Sequence, residues 1–177
     1  MVPIIIISVI VLIYVIKTYN GIKTKHYRVE KAFSSIDVIL QKRSDLIPNL
    51  VAVVKEYTKY EKDVLTRITE LRRVCSSGNV KECAELDNEI TGALKSIFAV
   101  AENYPNLKAN EQFSLLQKQL TSVENELSAA RRTYNAACTH FNTLITVFPR
   151  NIVAGIMREK EREFYVADNR ERVDVSL

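Results

Sequence analysis

Residues 113–148 read FSLLQKQLTSVENELSAARRTYNAACTHFNTLITVF, and this stretch decides the fold. Apolar side chains return at steps of three and four throughout it, which predicts a long amphipathic helix with one dry face. Pro105 and Pro149 bracket the run, so we expect one helix from about Leu107 to Phe148, roughly 60 Å long. The predicted seam consists of Phe113, Leu116, Leu120, Val123, Leu127, Ala130, Tyr134, Ala137, Phe141, Leu144 and Phe148.

A single helix cannot bury such a stripe, so the rest of the chain must supply partner helices. The chain has 177 residues with only four Gly and four Pro, enough for one domain with a core but little turn chemistry. The heptad spacing is also typical of coiled coils. The predicted class is therefore all-α: an N-terminal transmembrane helix, an antiparallel up-and-down bundle of three long helices, and a short C-terminal helix.

The first 16 residues carry no charged side chain and predict a membrane anchor within residues 1–18. The run is short for a hydrocarbon core of about 30 Å, so Lys17 should snorkel and Tyr14 and Tyr19 should lie near the interface. A cleaved signal peptide would need a basic N-terminal region and small residues before a cleavage point, and neither is present before the charged stretch begins. A buried strand or core helix does not explain a run without a polar face. The aliphatic anchor residues are Ile4, Ile5, Ile6, Ile7, Val9, Ile10, Val11, Leu12, Ile13, Val15 and Ile16.

Basic residues follow the anchor and none precedes it, which predicts the orientation. Because positive side chains stay in the cytoplasm, the short N-terminus should lie outside and the rest of the chain inside the cell. The same side chains could also contact anionic headgroups at about 1 kcal/mol each, although a topology signal is the simpler interpretation. The juxtamembrane basic residues are Lys17, Lys23, Lys25, Arg28 and Lys31.

A second heptad stripe begins at Val29 and passes through Pro48. It consists of Val29, Phe33, Ile36, Leu40, Ile47, Leu50, Val54, Tyr57, Val64, Ile68, Leu71 and Cys75, interrupted by the charged Arg43 and Glu61. Proline removes a helical hydrogen bond, so the helix should either kink at Pro48 or start afresh with Asp45 as its cap. The unbroken spacing favours the kink. Arg43, Asp45, Pro48 and Asn49 form the best polar cluster, either to orient a partner or to satisfy backbone groups opened by the proline.

The segment 76–79 reads SSGN and predicts a turn before the next helix, which should cover residues 80–103. Its inner face should carry Leu86, Ile90, Leu94, Ile97 and Val100. The residues NYPN at 103–106 predict a turn into the long seam helix. Beyond Pro149 a short helix containing Ile152 and Ile156 should complete the domain at residues 19–157, and the charged segment 158–177 should be loosely attached or disordered.

Residues for chemistry are sparse. His26 and His140 are far apart in sequence, no Cys/His spacing suits zinc, and no Gly-rich loop could hold phosphate. Carboxylates such as Glu102 and Glu124 lie beside helix-packing positions. We therefore expect no catalytic residue, no metal site and no cofactor.

The three cysteines are odd in number and predict reduced thiols in a cytosolic setting. An extracellular disulfide between Cys75 and Cys83 is the alternative. The formal net charge of +4 is mild and the acids and bases are mixed, which argues against a nucleic-acid partner.

The sequence resembles the LemA family of bacterial membrane-anchored helical proteins. The resemblance lies in YN at 19–20, AFSSIDV at 32–38, RSDLIPNLV at 43–51 and AVAENYPNLKAN at 99–110, and it continues in shorter matches to FP at 148–149. The chain departs from the family at Phe33, where Trp is usual, and at Gly155-Ile156, where Gly-Phe is usual. The resemblance implies a single-pass protein with a helical bundle and brings no established enzyme activity.

These observations predict a noncatalytic, membrane-anchored scaffold that self-assembles at the cell membrane. Its partners would be the lipid bilayer, further copies of the chain and, as a further option, another membrane protein. The alternative is an adaptor or regulator of a membrane protease or signalling enzyme. An enzyme is the third and weakest interpretation.

Overall fold

In a computed structural model of the chain, which describes residues 2–57 and 79–166 without the side chain of Val100, all regular secondary structure is helical. The helices are α1 (Val2–Tyr57), α2 (Val80–Ala101), α3 (Pro105–Lys108), α4 (Glu111–Thr146) and α5 (Arg150–Ile156). This confirms the all-α class. The predicted turn at 76–78 and the predicted stripe beyond Tyr57 lie outside the described residues.

Helix α1 joins the predicted anchor to the first helix of the domain without a loop. It also continues through Pro48, so the alternative of a fresh start at Asp45 is wrong. Asp45 accepts a hydrogen bond from Gln41 Nε2 at 2.8 Å within the same helix instead of capping a new one. A proline in a helix removes only one backbone donor, and packing on both sides of it can hold the helix together.

The long seam helix starts later than predicted. Pro105 opens the short helix α3, and Asn110 then caps α4 by accepting a hydrogen bond from the Phe113 backbone N–H at 3.0 Å. In the same way, Asn79 accepts from the backbone N–H groups of Lys81 and Glu82 at the start of α2. The two asparagines therefore set the starts of the two helices.

The predicted seam is buried from Phe113 to Tyr134 except at half-buried Ala130, and Phe141 is buried as predicted, but two other positions beyond Tyr134 are replaced by their neighbours. Cys138 and Ile145 are buried where Ala137 and Leu144 were predicted. A straight helix drifts about 20° per heptad away from a 3.5-residue repeat, so a strict repeat loses its match to the buried face along a long helix. The prediction for Phe148 is wrong, because that side chain is 75% exposed and lies beyond the end of α4.

The chain packs as two compact units. The first comprises Met1–Ser34 with Arg132–Phe164, and the second comprises Ser35–Arg131 with Tyr165–Leu177. The second unit has an apolar core built from Ile47, Leu50, Val51, Val53, Val54, Ile90, Leu94, Ile97, Ala101, Leu107, Phe113, Leu116 and Leu120. The predicted domain borders, at residue 18 after the anchor and at residue 157 before the charged tail, stay a prediction.

In the first unit, α1 and α4 run antiparallel. The rings of Phe33 and Tyr134 lie 5.7 Å apart between centroids, and those of His26 and Phe141 lie 5.9 Å apart. Seven residues towards the N-terminus of α1 thus correspond to seven residues towards the C-terminus of α4. The buried side chains of this unit are Thr18, Ile22, Val29, Ala32, Tyr134, Cys138, Phe141, Ile145, Val153 and Ala154.

The segment after α5 is attached to α4, so the predicted loose attachment is wrong for its described part, residues 158–166. Asn142 donates to the Arg162 carbonyl at 2.9 Å and accepts from the Arg162 backbone N–H at 2.8 Å. Tyr134 donates its hydroxyl to the Glu163 carbonyl at 3.0 Å. Polar side chains of α4 therefore satisfy the backbone of a strongly charged segment, which composition alone does not reveal.

Candidate functional site

The most strongly buried polar group of the second unit is the carboxylate of Asp87 on α2, whose side chain is 1% exposed. Arg43 of α1 donates to Asp87 Oδ1 at 2.7 Å, and Arg131 of α4 donates to Oδ2. Tyr165 places its hydroxyl 3.0 Å from Asp87 Oδ2. We call Arg43, Asp87, Thr91, Glu124, Arg131 and Tyr165 the Asp87 cluster.

Glu124 completes the charge balance of the cluster. Its two carboxylate oxygens lie 3.0 Å from Arg43 Nη2 and 3.4 Å from Arg131 Nη1. Thr91 accepts a further hydrogen bond from Arg43 Nη2 at 3.1 Å and donates to the Asp87 carbonyl at 2.8 Å. Two guanidinium groups therefore face two carboxylates, and the charges cancel within the cluster.

Tyr165 brings the C-terminal segment into the same cluster. Its ring lies under the Arg131 guanidinium, 5.6 Å from the ring centroid to Cζ, and its hydroxyl is also 3.2 Å from the Cys83 carbonyl. Burial raises the pKa of the Tyr165 hydroxyl, and the Asp87 carboxylate raises it further. This phenol therefore stays protonated and remains a hydrogen-bond donor at physiological pH.

Two opposing effects act on the pKa of the Asp87 carboxyl group. Burial raises its pKa above the ordinary range, whereas Arg131, Arg43 and the Tyr165 hydroxyl act in the other direction. Both carboxylate oxygens already have partners within the cluster, so neither is presented to a substrate. The arrangement can fasten α1, α2, α4 and the C-terminal segment together, and it is a structural site by its geometry.

The structure does not bring together the four residues predicted as a polar cluster. Arg43 is buried and turns to Asp87, whereas Asp45 and Asn49 are exposed and Pro48 is half-buried within α1. The sequence did mark Arg43 as a charge within an apolar stripe. Asp87 carries the same signal on α2, because it lies among the buried Cys83, Ile90 and Leu94 at helical spacing, but it was missed.

A second polar group, which we call the Glu159 cluster, lies in the first unit and comprises Lys23, His26, Glu30, Glu159 and Arg162. Glu159 accepts from Lys23 Nζ at 3.0 Å and lies 3.0 Å from His26 Nδ1. Glu30 lies 3.0 Å from His26 Nε2, and Arg162 Nη2 is 3.2 Å from the same nitrogen. Burial raises the pKa of Glu159, but the hydrogen bonds from Lys23 and His26 outweigh it, and the pKa lies below its usual value.

The juxtamembrane basic residues have different surroundings. Lys17, Arg28 and Lys31 are exposed, Lys25 is half-buried, and Lys23 is engaged by Glu159, which raises its pKa. Lys23 is thus paired with a protein carboxylate, although its side chain is 39% exposed. Among the described residues, His, Cys, Asp and Glu do not gather in a group of three suited to a metal ion.

The predicted anchor is exposed on all sides of α1. Its aliphatic side chains from Ile4 to Ile16 are between 39% and 67% exposed, and the chain becomes covered at Thr18, which is 8% exposed. A core helix of a soluble protein would be covered by its neighbours, so the core-helix alternative does not fit. By length and composition this helix is apolar enough to cross a membrane, and among the described residues it alone meets that criterion.

These features define an all-helical protein whose N-terminal helix is compatible with a membrane anchor. The LemA family profile matches residues 32–177, and the chain belongs to the LemA family. It is 27% identical to Protein LemA of Metamycoplasma hominis over 161 residues, which cover 88% of this chain and 72% of that protein.

The chain is also similar to magnetosome proteins. It is 23% identical to Magnetosome protein MamQ 2 of Paramagnetospirillum magneticum, with 83% of this chain and 64% of that protein covered. It is 22% identical to Magnetosome protein MamQ of Magnetospirillum gryphiswaldense, with 90% of this chain and 70% of that protein covered. The chain therefore spans about two thirds of the length of these relatives.

Proposed function

We propose that this protein is a noncatalytic scaffold that is anchored in the cell membrane and self-assembles there, with its helical part in the cytoplasm. The observation that carries the proposal is the continuity of α1. One helix extends from the exposed apolar run at Val2 into packed helical structure without a loop. An anchor joined in this way fixes the orientation of the helical part, which is a requirement of a scaffold rather than of a tethered enzyme on a flexible linker.

The Asp87 cluster supports the noncatalytic role because its charges are paired with one another and because Arg43 and Asp87 are buried. The names of the magnetosome relatives also refer to a structure and not to a reaction. The lipid bilayer and further copies of the chain are the partners this role requires.

Two physical arguments support the proposed self-assembly. The apolar run of about 16 residues covers roughly 24 Å, less than a hydrocarbon core of about 30 Å, and clustering relieves such a mismatch. Anchoring also confines the chains to one plane, so weak contacts between helical parts become sufficient.

The test is the mass of the full-length protein, measured by light scattering in several mild detergents and in lipid nanodiscs. We expect a multimer. A variant whose residues 4–16 are reordered at constant composition should remain multimeric, whereas an anchor lengthened by one apolar turn should assemble less, because the mismatch is smaller. A single subunit under all conditions would contradict self-assembly and favour the adaptor of a membrane protease or signalling enzyme.

The cytoplasmic orientation needs its own test, and Cys138 cannot provide it because the side chain is fully buried. Ser122 on α4 is exposed and gives a suitable site for Ser122→Cys. In intact cells a maleimide that cannot cross the membrane should leave this cysteine unlabelled, and a permeant maleimide should label it. Labelling by both reagents would reverse the proposed orientation.

A further inference from the structure

The short helix α5 presents apolar side chains to the outside of the first unit. Phe148 is 75% exposed, Ile152 is 57% exposed and Ile156 is 78% exposed. Ile152 and Ile156 are four residues apart and share one face of the helix, and Phe148 lies in the turn that precedes it. We call these three residues the α5 face. Val153 and Ala154, on the other side of α5, are buried.

The antiparallel pairing of α1 and α4 locates this face along α1. Phe141 is level with His26, and the five further residues to Thr146 advance α4 by about 7.5 Å towards the anchor. At one residue of α1 for each residue of α4, Thr146, where α4 ends, lies level with Gly21. The turn into α5 therefore begins five residues, or about 7.5 Å along α1, from the end of the apolar run at Ile16.

The other end of α5 is fastened to the same part of α1. After Ile156 the Arg158 and Glu159 backbone N–H groups donate to the carbonyls of Gly155 and Ala154, at 3.1 Å each. This reversal delivers the Glu159 carboxylate to Lys23 Nζ at 3.0 Å. Helix α5 is thus held between two attachments to the stretch of α1 that follows the anchor.

The charges at the ends of α5 complement an anionic lipid surface. Arg150 is its first residue and Arg158 follows its last turn, and both side chains are exposed. Lys17 is exposed on α1 at the end of the apolar run. Basic residues beside an exposed apolar helix face are the pattern of helices that lie in the headgroup region of a bilayer.

We propose that the α5 face inserts into the interfacial region of the leaflet from which α1 emerges, so that each chain has a second contact with the membrane. This inference rests on the proposed function in one respect, that the apolar run of α1 spans the bilayer. The lipid surface is the occupant because the face adjoins the membrane-spanning run and carries basic residues at both ends.

Tryptophan fluorescence tests the proposal directly, because the chain contains no Trp. Full-length single-Trp variants are placed in vesicles of phosphatidylcholine and phosphatidylglycerol, with bromine on the acyl chains as a quencher, near the glycerol for the α5 positions and near the chain ends for the anchor position. Ile152→Trp and Ile156→Trp report on the α5 face. Ile10→Trp reports on the anchor, and Ala136→Trp, at an exposed position of α4 about 15 Å along the axis from its end, is the matched control.

We expect brominated lipid to quench Trp at 152 and at 156, with emission at shorter wavelength than for Trp at 136, which should stay unquenched. Because both α5 positions are exposed, the helical circular dichroism of the variants should equal that of the parent, and either variant suffices if the other misfolds. Quenching at 10 without quenching at 152 or 156 would overturn the α5 contact and leave the anchor intact.

The remaining outcomes separate the two proposals further. Short-wavelength emission at 152 without quenching would mean that protein covers the face, and this would overturn the lipid contact. Quenching at 152 without quenching at 10 would support the α5 contact and refute the spanning anchor. Absence of quenching at all positions would overturn both.

Discussion

Replacement of Arg43 by Met removes one of the two cations from the Asp87 cluster and retains most of the apolar volume of the side chain. The Arg43 side chain is 4% exposed, and its guanidinium contacts Asp87 at 2.7 Å, Glu124 at 3.0 Å and Thr91 at 3.1 Å. Breaking a buried ion pair in this way costs about 3–5 kcal/mol, because it leaves an uncompensated buried charge. Asp87 keeps Arg131 and Tyr165, so we expect a loss near the lower end, about 3 kcal/mol.

The neighbouring Lys42 provides a matched control. It also pairs with an acidic residue of α4, Glu126, at 3.0 Å, but the two side chains are 55% and 43% exposed. An exposed pair of this kind contributes about 0–1 kcal/mol, so Lys42→Met should barely change the free energy of unfolding. The two substitutions lie at adjacent positions of α1 and compare a buried ion pair, to Asp87 of α2, with an exposed one, to Glu126 of α4.

The assay is urea unfolding of the full-length protein in mild detergent, followed by far-ultraviolet circular dichroism. The double variant R43M/D87N restores charge balance with Glu124 and Arg131, so it should be more stable than Arg43→Met alone. The reasoning is refuted if Arg43→Met is within about 0.5 kcal/mol of Lys42→Met, the range of ordinary surface substitutions. It is also refuted if the double variant is less stable than the single one.

Three further predictions concern packing, pH and backbone conformation. Leu127→Ala should lower the free energy of unfolding in urea by about 2–5 kcal/mol, because the side chain is fully buried. Leu115→Ala, at a 57% exposed position of the same helix, should lower it far less. Equal losses would contradict the orientation of α4. The pKa of Glu159 is lowered in the folded state, so the ionised carboxylate stabilises the fold. The wild type should therefore exceed Glu159→Gln in free energy of unfolding by its full margin above pH 4.5, and this margin should decline as the pH falls through the folded pKa. A margin independent of pH would refute the ionised pairing. Arg158 has a φ of 55°, a left-handed conformation that glycine adopts readily and a β-branched residue does not. In thermal unfolding, Arg158→Gly should therefore be neutral or stabilising by up to about 1 kcal/mol, and Arg158→Val should be destabilising. The reverse order would show that φ is negative.

The helical class was predictable because heptad spacing reports directly on which side chains are buried. Leu116, Leu120, Val123 and Leu127 are buried as the seam predicts. The shift to Cys138 and Ile145 was not predictable from a strict repeat, since the sequence offers apolar residues at both sets of positions. The start of α4 depended on Asn110, whose capping hydrogen bond competes with continuation of the helix from Pro105.

The sequence allowed only part of the Asp87 cluster to be predicted. Arg43 stood out as a charge within an apolar stripe, but its partners lie 44 and 81 positions away, at Asp87 and Glu124, and only folding brings them together. Tyr165 was obscured by the charged residues around it. Composition reports the average solvation of a segment, whereas one aromatic side chain can fasten that segment to a core.

With the apolar run of α1 spanning the bilayer, as proposed, the unbroken helix would act as a lever between the membrane and the first unit. A transmembrane helix adjusts its tilt when the hydrocarbon thickness changes, and tilts vary over tens of degrees. Ser34 lies about 25 Å along α1 from Lys17, so a change of about 10° in tilt about Lys17 moves Ser34 by roughly 4 Å, mainly along the membrane surface. Under the proposed anchoring, the thickness and composition of the lipid would therefore set the angle between the first unit and the membrane surface.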